Sequence, residues 1–98
     1  NPKKMALLVK CYLDDWEEKT QELKSTIQDE DWQKTNYNLH SIKGAVGNLG
    51  GTQVQSLVAS IEELSKEENG SLLNENIPEL YAALDTFNSL LAEYLKEH

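Results

Sequence analysis

Arginine is missing from this 98-residue chain: all nine basic residues are lysine, against seventeen acidic ones, for a formal net charge of −8. Bidentate recognition of phosphates and guanines depends on the planar guanidinium fork. An acidic chain without that fork is not a nucleic-acid binder. An anionic membrane surface is excluded in the same way, because it calls for a polybasic patch. Cysteine is nearly missing too. Cys11 alone cannot close an internal disulfide, which points to a reducing compartment and hence to the cytoplasm. No apolar run is long enough to span a bilayer, and the N-terminus lacks the layout of a signal peptide. Asn69-Gly70-Ser71 has the form of a glycosylation sequon, but Asn-Gly is first of all a turn signal.

With 39% hydrophobic and 27% charged residues the composition is that of an ordinary globular domain, and the length suits one domain over 1–98. The chain opens on Asn1-Pro2, not on Met, and is expected to be a module taken from something larger. Its apolar period is helical throughout. Val9, Leu13, Trp16, Thr20, Leu23 and Ile27 form a first stripe, which ends at the polar turn Asp29-Glu30-Asp31. Trp32, Thr35, Leu39, Ile42, Val46 and Leu49 form a second, stopped by Gly50-Gly51. Thr52 and Gln55 read as a capping box opening a third helix, with Val54, Leu57, Val58, Ile61 and Leu64 inward. A polar loop is expected over 66–76, with a fourth helix from near Pro78 through Leu80, Leu84, Phe87, Leu91, Tyr94 and Leu95; Leu72 and Leu73 could belong to an earlier turn. Four amphipathic helices with mostly short links predict an all-α, antiparallel up-down four-helix bundle.

Two histidines are present, and His98 is terminal. His40 stands in the run His40-Ser41-Ile42-Lys43-Gly44-Ala45-Val46-Gly47-Asn48-Leu49-Gly50. His40, Lys43, Gly44 and Gly47 fall at i, i+3, i+4 and i+7, on a face roughly 130° from the core stripe and expected to be open to water. Each glycine costs about 1 kcal/mol relative to alanine within a helix. The pattern therefore suits bare backbone beside an imidazole that a macromolecule must approach closely. A neutral imidazole nitrogen there can attack a phosphoryl group, with Lys43 reaching its oxygens as a point charge. The plain alternatives are a surface histidine, a solvating lysine, and glycines that permit a close helix crossing.

His40-x-x-Lys43-Gly44 followed by Asn48-Leu49-Gly50 resembles the signature of histidine-containing phosphotransfer (HPt) domains of phosphorelays. Asp31-Trp32 leading into Leu39-His40 is similar to the approach to that histidine. Leu8, Tyr12-Leu13 and Leu23 resemble the family's first helix, and Val54, Leu57 and Ile61-Glu62 its third, more loosely. The likeness covers 8–62 and is strongest over 31–50; the last helix is generic. Gly51, where the family often has alanine, is a departure that should affect only the turn.

The resemblance implies that His40 takes a phosphoryl group on Nε2 from the aspartate of a response-regulator receiver and passes it to another receiver. Lys43 would steady the phosphoryl oxygens, and Gly44 would keep the approach clear. Asn36, Tyr37 and Gly47, with side chains of the first helix, would form the docking face. No cofactor is expected, since Mg²⁺ would belong to the receiver. The chain would be a carrier with no ATP site, monomeric in isolation and part of a hybrid sensor histidine kinase.

Two rival readings share the fold: an acidic helical interaction module with no demand on His40, and a small cofactor-binding bundle. Other constellations carry less. Glu62-Glu63 and Glu67-Glu68 read as a solvated helix face and its end, without the ligand pattern of a calcium loop. Cys11 reads as buried on a helix flank, and one internal histidine with one cysteine cannot complete a zinc site. Trp16 and Trp32 lie in core phase.

Overall fold

The computed structural model describes residues 2–98; Asn1, on which the expectation of an excised module partly rests, lies outside them. Four helices follow in order: α1 (Pro2–Gln28), α2 (Trp32–Asn48), α3 (Thr52–Lys66) and α4 (Gly70–Glu97). Each packs on its neighbours in sequence, and α4 returns to α1, while the diagonal pairs do not meet. That ring of antiparallel neighbours is the expected up-down bundle.

At about 1.5 Å per residue α1 and α4 are each about 40 Å long, whereas α2 and α3 reach only about 25 Å. The long pair sets the 41 Å axis of the molecule. The short pair is joined at Gly50-Gly51. The core runs along the axis through Val9, Leu23, Leu39, Val46, Val58, Ile61, Leu73 and Leu84, all at 1% exposure or less. Within α1 the stripe is shifted slightly from expectation. Tyr12 and Thr26 are buried, while Leu13, Trp16 and Thr20 are half-buried at its edge. Asn88 of α4 ties this edge together. Its amide nitrogen lies 2.7 Å from the Tyr12 hydroxyl, and its oxygen accepts from the Trp16 indole at 3.2 Å.

All three links use one device. After α2 the Gly51 N–H donates to the Val46 carbonyl and the Gly50 N–H to Gly47, with Gly50 at φ 83°. After α1 the same pair of bonds runs from Asp31 to Thr26 and from Glu30 to Ile27; after α3 it runs from Asn69 to Leu64 and from Glu68 to Ser65. There the left-handed position is filled by Glu30 (φ 53°) and Glu68 (φ 55°), without glycine. Asp31 and Asn69 then cap the next helix, each side chain accepting a backbone N–H at 3.2 Å, from Lys34 and Leu72.

Two expectations about helix starts need correction. The fourth helix begins at Gly70, so the loop shrinks to 67–69 and Pro78 lies inside the helix. An interior proline costs about 3 kcal/mol. Extending the helix, however, buries Leu73 fully and Ile77 nearly so, worth about 1.5–3 kcal/mol each. Asn74, whose carbonyl Pro78 deprives of a partner, is exposed to water. The capping box at Thr52 does not form. Gly51 is the N-cap with no side-chain bond, and Gln55 instead reaches across to α2. Cys11 is exposed, not buried, because the core phase of α1 passes through Val9 and Tyr12 on either side of it.

Candidate functional site

His40 sits at the middle of α2, with its side chain 73% exposed. Leu39 and Ile42 hold the helix to the core, so His40 and Gly44 fall on the outer face. A Cβ added at Gly44 would meet nothing within 4 Å. Access to the imidazole is open on that side. Tyr37, one turn before His40, is 74% exposed, and from α1 the Lys19 ammonium reaches Ser41 Oγ at 3.4 Å. Beyond Gly44 an apolar groove runs between α1 and α2, lined by Leu8, Tyr12, Ala45, Asn48 and Leu49.

The rest of the expected stripe turns toward α3 and is not bare. Lys43 Nζ bonds Glu62 Oε1 at 2.7 Å, and its side chain is only 28% exposed. Gly47 is covered by the Gln55 side chain, whose amide nitrogen donates to the Lys43 carbonyl at 3.3 Å. Gly47 thus serves the close crossing of α2 and α3, the plainer of its two readings. Asn36 is half-buried, with its Oδ1 enclosed and unpartnered, so it offers little docking surface.

Glu62 corrects the reading of the 62–63 acidic pair as solvated. Glu63 is exposed, but Glu62 is buried at 4% exposure. The sequence carried a signal for it. Glu62 lies four residues after Val58 and three before Ser65, in phase with the buried stripe of α3. Its second oxygen, Oε2, lies 3.4 Å from His40 Nδ1. Burial alone would push this carboxyl up. The hydrogen bond and charge of Lys43, with Lys66 and His40 adding, outweigh burial and hold it below the usual carboxylate range. It is therefore an anion at neutral pH.

A carboxylate facing Nδ1 favours the tautomer with the proton on that nitrogen, which leaves the Nε2 lone pair free on a side chain that is largely exposed. At 3.4 Å the contact is longer than a full hydrogen bond, and it orients the ring as a charge–dipole pairing. The site can thus offer an exposed imidazole nitrogen beside open backbone, with an ammonium one turn away. Among the described residues there is no cluster of metal-ligating groups, and no helix is long and apolar enough to cross a membrane.

Comparison with curated proteins and with solved structures returns no match. The family model for the Hpt domain matches residues 7–94, nearly the whole chain and all four helices. The chain belongs to the Hpt domain family, whose members are carriers of histidine phosphotransfer in phosphorelays, not kinases, and interact with response-regulator receiver domains.

Proposed function

We propose that His40 Nε2 is the phosphoryl acceptor of this domain, taking the group from a receiver aspartate and returning it to another. The observation that carries the reading is the ring itself: Nδ1 faces a buried anion, and the opposite edge is exposed beside Gly44. In the transfer the Nε2 lone pair attacks phosphorus while the P–O bond to the aspartate breaks. The aspartate leaves as a carboxylate with the bonding pair. Lys43 has three N–H donors, so it can keep Glu62 with one and offer the others to the phosphoryl oxygens. Gly44 keeps the receiver's approach unobstructed. Tyr37 and the groove at Leu8, Ala45 and Leu49 supply apolar contact on either side of His40.

Charge neutralisation by Mg²⁺ belongs to the receiver in this reading, and the domain works without a cofactor of its own. It acts as one unit over 1–98, monomeric, as the phosphotransfer module of a hybrid sensor histidine kinase in the cytoplasm. The test is incubation with a radiolabelled phospho-receiver. Wild type should gain an acid-labile, base-stable label, and His40→Gln should gain none while keeping its helicity and melting temperature. Equal labelling of both proteins refutes the assignment.

A further inference from the structure

Glu62 is the only charged side chain buried among the described residues. Burying a carboxylate is costly unless it is paired on all sides, and this one divides its oxygens between Lys43 and His40. Lys43 alone accounts for one oxygen. Toward a neutral imidazole the second gains little. Its return comes when the ring carries a positive charge, which happens as soon as Nε2 is phosphorylated with the proton still on Nδ1.

On the acceptor reading above, we propose that Glu62 sets the transfer potential of phospho-His40: its carboxylate holds the Nδ1 proton and keeps the phosphorylated ring in the cationic form from which the phosphoryl group leaves. The proton count closes without an outside acid or base. In loading, the Nε2–P bond forms, the aspartyl O–P bond breaks, and the Nδ1 proton stays in place. The product is an imidazolium bearing a phosphoryl group. In unloading, the N–P bond breaks, its electron pair returns to Nε2, and the neutral Nδ1–H tautomer is restored. Had the proton gone to solvent, the leaving group would be an imidazolate, a much poorer one. Glu62 is thus a positioning residue that makes the domain a carrier and not a store.

Lys43 on α2, which shares the Glu62 carboxylate with His40, opposes a cationic ring, and α1 brings the Lys19 ammonium to the neighbouring Ser41. Glu62 is the anion that offsets them, so its neutralisation should strip the Nδ1 proton more readily.

The test loads wild type and Glu62→Gln with phosphoramidate and follows loss of the His40 phosphoryl group by phosphorus NMR from pH 4 to 10. In the variant the pH of half-maximal lability should fall by about one unit, and the lifetime at pH 8 should lengthen about tenfold, the effect of one ordinary charge contact. Lys43→Met breaks the same ion pair and should not lower that pH. A merely structural role for Glu62 predicts the same behaviour in both variants. Should Glu62→Gln fail to fold, native and urea-unfolded wild type are compared, and the native midpoint should be the higher. Equal profiles with His40 labelled throughout overturn the role of Glu62 and leave the acceptor reading standing. Absence of label on His40 overturns both.

Discussion

At Gly44 and Gly47 one residue type serves two purposes within a single turn. Gly47 makes room for Gln55 to cross onto the Lys43 carbonyl, whereas nothing approaches Gly44 within 4 Å. Open space around Gly44 means that a side chain there meets no neighbour in the fold and collides only with a visitor. Gly44→Leu should therefore keep or raise stability by about 0.5–1 kcal/mol through helix propensity, while slowing phosphoryl transfer at least tenfold. Urea denaturation and a transfer time course read the two effects separately; unimpaired transfer would remove the steric argument. Spacing of i and i+4 made His40 and Gly44 legible as neighbours on one outer helix face, whereas Lys43 at i+3 turns toward α3 and bonds Glu62. Glu62 was not singled out, since an acidic pair on a helix is usually solvated. Only the placement of α3 against α2 brings it beneath His40 and Lys43.

The helices themselves were legible from period and punctuation, and the misreadings cluster where two local signals compete. Pro78 is a familiar first-turn residue, yet Leu73, Ile77, Leu80 and Leu84 continue one buried stripe through it, and Asn69 caps the extended helix. Thr52 with Gln55 satisfies the pattern of a capping box, but Gln55 has a partner on α2. Gly51 looked like a neutral turn position. It is buried, and a Cβ there would lie 2.9 Å from the Phe87 ring and 3.1 Å from the Val46 carbonyl. The α2–α3 turn is thus seated directly on α4, where alanine does not fit without movement. Gly51→Ala should cost about 1–3 kcal/mol, the usual penalty of overpacking, read as a lower urea midpoint with unchanged slope. A gain in stability would show that Phe87 gives way freely.

Over the whole molecule, fifteen of the seventeen acidic side chains are exposed and contribute little when protonated. Glu62 is the exception. Because its folded carboxyl is held below the usual range, its contribution is complete above the unfolded value and is lost as pH falls through the folded one. The stability gap between wild type and Glu62→Gln should be about 1–3 kcal/mol at pH 7 and should close as pH drops below the ordinary carboxylate range. A gap that stays constant from pH 7 to pH 3 would contradict the buried ion pair. The bundle and its topology followed from four stripes and short links, while the unequal helix lengths followed only once α4 was seen to start at Gly70.

The position of the phosphoryl group decides whether His40 Nε2 is the acceptor. The most direct measurement is proton–phosphorus correlation NMR of the domain loaded by a phospho-receiver. A single phosphorus resonance coupled to the ring protons of His40 in the pattern of an Nε2 phosphoramidate is the predicted result. Phosphorus at any other residue, or at Nδ1 of His40, would contradict it.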